Sequence, residues 1–148
     1  MKKLALLLSL LFIKSFAYEY KAVFDCSSSN AYYIKTRMML IDKTMSSIHN
    51  KGNKATFAIT IHGGCAPLAS KNFEDVIDDE EVSNMREAQK TFAKLIQKKN
   101  VEAVVCEMSM AANAIDKKEI LPFVKISQNS FIDTIAYQNE GYALMTFK

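Results

Sequence analysis

The chain has 148 residues, 49% of them hydrophobic and 24% charged, with four Gly and two Pro. This is the length of one domain and an ordinary globular mixture, which excludes collagen-like, low-complexity and disordered chains. The formal net charge of +3 is local: Lys2, Lys3 and Lys14 account for it, and the remaining 16 basic residues match the 16 acidic ones. A neutral domain without a basic stripe has little with which to grip a phosphate backbone, so nucleic acid is not an expected partner.

Residues 1–17 read as a signal peptide. Met1-Lys2-Lys3 is a basic start, Leu4 to Ile13 is apolar except for Ser9, and Ser15-Phe16-Ala17 sets small residues where a signal peptidase cuts. As a helix the apolar run rises about 15 Å, roughly half a hydrocarbon core, so it is too short to be a membrane anchor. The expected product is one domain over residues 18–148, exported to the periplasm and free of the membrane once the leader is cut. Cys26, Cys65 and Cys106 are an odd set, so intramolecular pairing leaves at least one thiol. In an oxidising compartment that thiol needs burial, a partner or a task.

Tyr18 to Asp25 reads as a strand, and Ser27-Ser28-Ser29-Asn30 supplies N-cap residue types. Ile34, Met38, Ile41, Met45 and Ile48 then form one stripe of an amphipathic helix, stopped at Asn50-Lys51-Gly52-Asn53. Ala55 to Ile61 is a β-branched, uncharged run typical of a buried strand, and it ends at His62-Gly63-Gly64-Cys65. After an irregular stretch over 66–80, Val82, Met85, Ala88, Phe92 and Leu95 mark a second helix, with acidic residues at its start. Val101 to Cys106 is a third strand. Asp116 and Glu119 suggest a capping box for a short turn of helix. Phe123 to Ile126 is a fourth strand, Ser130 is expected to cap a helix that Gly141 ends, and Tyr142 to Phe147 is a fifth strand. Alternation of strands and helices predicts an α/β three-layer sandwich on a mainly parallel five-stranded sheet.

In such sheets ligands bind beyond the carboxyl ends of the strands. Cys26, Cys65 and Cys106 all follow strands, so they are expected on one edge beside His62. A thiol site competes there with the plainer reading that cysteine is a common small core residue. Cys106 is the leading candidate nucleophile, because N–H groups of a following turn or helix start would favour its thiolate; Glu107 would oppose this if it pointed inward. His62 is a candidate base or proton shuttle, or a structural histidine. Soft ligands Cys106, Met108, Met110, His62 and Cys65 could instead hold Cu(I). Cys-x-x-Cys pairs and Gly-x-Ser-x-Gly are absent from the sequence, which argues against a zinc ribbon and a serine hydrolase. The first strand-to-helix turn offers the hydroxyls of Ser27 and Ser28 but no glycine, suiting a small anion or plain helix capping rather than a dinucleotide. No metal and no cofactor are expected.

His62-Gly63-Gly64, the strand Val101 to Cys106 with Met108-Ser109 and Ala114-Ile115, and the ending Gln138-Asn139-Glu140-Gly141-Tyr142-Ala143 together resemble the DsrE/DsrF-like (DsrEFH-like) family. The resemblance implies a flavodoxin-like sandwich that assembles into homo-oligomers, trimers or hexamers. It also implies that Cys106 matches the cysteine that carries persulfide sulfur in sulfur-relay members, with a sulfur donor or acceptor protein as partner. The expected function is an exported sulfur-accepting or redox-active thiol protein. Cys106 and His62 would carry the chemistry, Cys65 would act as a resolving thiol, and Ser27, Ser28, Gly63, Gly64 and Ser109 would line the pocket. The alternative is a noncatalytic homo-oligomeric binding protein for a small ligand or Cu(I), with cysteines that only pack.

Overall fold

The computed structural model describes residues 17–147; the expected leader and its cleavage signal lie almost wholly outside the described residues. Five strands form the sheet: β1 (Glu19–Cys26), β2 (Lys54–Ile61), β3 (Val101–Cys106), β4 (Lys125–Ser127) and β5 (Ala143–Phe147). The helices between them are α1 (Ala31–Asn50), α2 (Asp79–Ile96), α3 (Glu107–Ala112) and α4 (Ser130–Asn139). Short 3-10 segments occupy Gly63–Ala69, Phe73–Asp75 and Lys117–Glu119, the last closed by the Asp116–Glu119 capping box.

Every strand pairing is parallel and the spatial order is β4-β3-β2-β1-β5. From β1 to β4 the chain steps one strand at a time in one direction. The last crossover then returns past three strands to place β5 on the far side of β1. Right-handed crossovers of opposite sense put their helices on opposite faces. So α1 and α2 pack together on one face, whereas α4 lies alone on the other, touching β1, β2 and β3.

The α1–α2 face holds the main core. Phe24, Phe57, Ile59, Ile61, Ala103 and Val105 point from the strands toward Ile34, Met38 and Met45 of α1 and Met85, Phe92 and Leu95 of α2, all buried. Phe24 and Phe57 meet edge to face, with ring centroids 5.0 Å apart. On the α4 face the alternate strand residues Val23, Ala58, Thr60 and Val104 are buried too. Here α4 is held by polar contacts: the Tyr137 hydroxyl donates to Glu102 of β3 at 2.7 Å, and Ser127 donates to Asp133.

Two local expectations are corrected, and one element was not expected. The fourth strand begins at Lys125 rather than Phe123, because Pro122 lacks an N–H for the ladder and Val124 N–H closes a turn onto the Leu121 carbonyl. The cap of α4 is Asn129, whose side chain accepts from Phe131 N–H at 2.9 Å, and Ser130 is the first helical residue. The helix α3 was not anticipated as an element, six residues being too few to develop an amphipathic stripe.

Candidate functional site: a thiol beside a histidine–aspartate pair

The register decides which cysteines can meet. Cys26 pairs with Ile61, and Ile61 with Val105, so these three share the α1–α2 face. One residue earlier or later lies on the other face. Asp25, His62 and Cys106 therefore turn toward α4, and Cys26 turns away from them.

Cys26 and Cys65 are joined in a disulfide, with Cα atoms 5.8 Å apart, and both are fully buried in the main core. All three cysteines sit at the carboxyl edge as expected, but Cys26 and Cys65 are on the α1–α2 face and Cys106 on the other. The disulfide removes Cys65 as a resolving thiol for Cys106, since its sulfur is bonded elsewhere and lies across the sheet. Cys106 is the free cysteine.

Cys106 is 4% exposed and forms the N-cap of α3. Its Sγ lies 3.9 Å from the Gln128 carbonyl. Burial pushes the thiol pKa up, but backbone N–H groups of Ser130, Ser109 and Met108, together with the Ser109 hydroxyl, outweigh it and hold the pKa below the ordinary 9.0. Glu107 does not oppose this, because it points outward to pair with Lys117 at 2.6 Å.

Next to it, His62 Nε2 lies 3.0 Å from Asp25 Oδ1, and Thr60 Oγ1 donates to the same oxygen at 2.8 Å. Hydrogen bonding to Asp25 raises the His62 pKa against the opposing effect of burial, with further support from the charges of Asp25 and Cys106. The result is an imidazole biased toward its cation, facing a thiol biased toward its anion.

Gly63, Ser109 and Asn113 bind this corner together. Gly63 N–H donates to Ser109 Oγ at 2.8 Å, and Asn113 Nδ2 donates to the Gly63 carbonyl at 3.0 Å. The Ser109 hydroxyl thus receives one hydrogen bond and offers its own proton to the sulfur. Gly63 has φ +52°, which favours glycine, and at Gly64 a Cβ would come within 2.7 Å of the Ser29 Cβ. Both glycines serve the turn that delivers His62.

Of the expected residues, Cys106, His62, Gly63 and Ser109 come together. Ser28 does not join them, its Oγ accepting from Asn30 N–H at 3.2 Å in a local turn ahead of α1. Ser27 lies against Gly63 through its backbone, and Gly64 packs on Ser29 instead of facing the thiol. The soft-metal set comes apart: Met110 is buried in the core, Met108 is 67% exposed, and Cys65 is oxidised. Asp25 was missed. Its signal was a carboxylate closing an apolar strand immediately before Cys26, which alternation puts on the face opposite that cysteine.

Similarity to known proteins bears on this geometry. An uncharacterised protein of Aquifex aeolicus (strain VF5) is 33% identical over 149 residues, covering 99% of this chain and 64% of that protein. The chain thus spans less than two thirds of that relative's length. A solved structure, MTH1491 of Methanobacterium thermoautotrophicum, a protein of unknown function, superimposes with a TM-score of 0.66 at 12% identity, covering 88% of this chain and 99% of that one. That likeness establishes the fold. The DsrE/DsrF-like family profile matches residues 21–147, from within β1 to the end of β5, and the chain belongs to the DsrE/DsrF-like family.

Proposed function

We propose that this protein is an exported sulfur carrier in which Cys106 accepts and hands on a sulfane sulfur. The observation that carries the reading is the free Cys106 sulfur, surrounded by N–H and O–H donors and placed on the same face as the Asp25–His62 pair.

The Cys106 thiolate attacks the outer sulfur of a persulfide donor, R–S–SH. A new S–S bond forms on Cys106, the donor's S–S bond breaks, and its electron pair leaves with RS⁻. His62, held as a cation by Asp25, gives the leaving thiolate its proton. Cys106–S–SH then meets an acceptor thiolate, which takes the terminal sulfur and returns Cys106 as the thiolate. No net redox change occurs and no cofactor is needed. Two features support export. The leader pattern is that of a cleaved signal, and a buried disulfide suits an oxidising compartment. Family membership supports sulfur handling as the chemistry, and the exposed Phe131, Ile132 and Ile135 of α4 support self-assembly.

The test is intact-mass measurement after incubation with glutathione persulfide. We expect one added sulfur per chain, located on Cys106 and removed by reductant, and none on a folded Cys106→Ser variant. Loading that survives in that variant, or wild-type protein that takes up no sulfur, overturns the assignment.

A further inference from the structure

Across the sheet from Cys106, the side of α1 that faces β5 carries a second feature. A cavity of about 300 Å³ lies between them, floored by Phe24, Phe57 and Phe147 and walled by Ile41 and Met145. A hollow of about 390 Å³ continues it along the same helix, the two sharing Tyr20, Leu40, Thr44 and Ile48. From Arg37 to Lys51 the groove follows α1 for about 21 Å at the helical rise. Its apolar surface is open at Leu40 and Met145, each 51% exposed. This size and lining are those of a small-molecule site.

The charge is one-sided. The charged residues lining the two hollows are Lys21, Arg37, Lys43 and Lys51, all basic. The Lys21 ammonium is turned to the other face, 5.5 Å from the Tyr142 ring centroid, leaving Arg37, Lys43 and Lys51 along the helix. Arg37 carries a further signal. Its guanidinium is fixed 4.6 Å from the Tyr33 ring centroid, yet its buried Nε has no hydrogen-bond partner among the described residues. The Nε itself is sealed from the groove, so an anionic oxygen there would meet the guanidinium through its terminal N–H groups and its charge.

We propose that this groove binds an anionic amphiphile: an aliphatic carboxylate whose head pairs with Arg37 and whose chain lies along the phenylalanine floor. Head and chain are both required, because a bare anion leaves the floor wet and a neutral chain leaves the basic wall without a counter-charge. The site is separate from Cys106 and stands whether or not that cysteine carries sulfur.

The experiment is calorimetric titration of the full chain with dodecanoate, kept below its micellar concentration, against dodecan-1-ol and acetate. Saturable binding of one dodecanoate per chain is expected, with the alcohol and acetate each at least about tenfold weaker, the loss of one charge-assisted hydrogen bond or of the apolar contact. Arg37→Gln should erase the preference for acid over alcohol. Met145→Glu, at an exposed edge position, should abolish dodecanoate binding by setting a carboxylate in the groove. The proposal falls if dodecanoate does not bind, or if the alcohol binds equally well. It falls too if both variants bind as wild type does, or if Met145→Glu changes the oligomeric mass, which would make the groove an interface between copies.

Discussion

The reactivity of Cys106 rests on a small number of hydrogen bonds. Desolvation alone would leave this sulfur a poor nucleophile at neutral pH, since burial disfavours the anion. Donors at Ser130, Ser109 and Met108 reverse that balance. Of these donors only the Ser109 hydroxyl can be removed by a side-chain substitution, which also leaves the Gly63 N–H without its acceptor. Alkylation of Cys106 by iodoacetamide should rise with pH through a midpoint below 9.0 in the wild type. In Ser109→Ala the midpoint should move up and the rate at neutral pH fall on the order of tenfold, the scale of one hydrogen bond to a charged group. An unchanged rate profile in the folded variant would show that the hydroxyl does not stabilise the thiolate. The His62 pKa moves the opposite way, and its contribution to stability has the opposite pH dependence. Because folding raises it above 6.5, the Asp25–His62 bond adds stability that is complete below 6.5 and lost as pH rises through the folded value.

At the scale of elements, the helices and strands were legible because each carries its own period. Ile34, Met38, Ile41 and Met45 repeat at helical spacing and are buried, and the uncharged run of β2 is a central strand with five buried residues at its end. What could not be read was the pairing between elements. Placing three cysteines at strand ends fixes their height in the sheet, but which face each one takes depends on a one-residue register. That single residue separates Cys26 from Asp25 and decides that Cys65 reaches the first and not Cys106. Asp25 and His62 each lie beside the bridge, at one residue from Cys26 and three from Cys65, so the disulfide ties together the two segments that hold them. Its 39-residue separation predicts about 4 kcal/mol of stabilisation from loop closure. Replacing both residues, as Cys26→Ala with Cys65→Ala, should therefore lower the unfolding free energy by about that amount in a urea titration. A loss within error of zero would mean that the core at this corner holds the two segments without the bond.

On the scale of the whole molecule, the two faces of the sheet are unequally covered. The α1–α2 face carries two long helices and is open only in the groove beside β5; the other has one ten-residue helix. On α4, Phe131, Ile132 and Ile135 are 70%, 65% and 57% exposed. Three adjacent large apolar side chains on one short helix form a patch of the kind that marks an interaction surface. Residues 18–148 carry 16 basic and 16 acidic residues, so that part of the chain does not repel its copies through net charge. A second copy is the occupant that the family expectation of homo-oligomers supports, and α4 is where it would sit. Such an interface would border the thiol site, because the Phe131 ring is 6.4 Å from the His62 ring, centroid to centroid, and Ser130 N–H faces the Cys106 sulfur. Assembly and sulfur loading should then be coupled. Sedimentation of the wild type at micromolar concentration should give a multiple of the chain mass, and Ile132→Glu with Ile135→Glu should shift it to the monomer. These positions are exposed in the single chain, so the charges add little cost to its folding. The monomeric variant should also alkylate at Cys106 at an altered rate, since the segment from Gln128 to Phe131 that lies over the sulfur loses its neighbour. A wild type that sediments as a monomer would assign this patch to a different partner, and an unaltered alkylation rate in the monomer would separate assembly from the thiol.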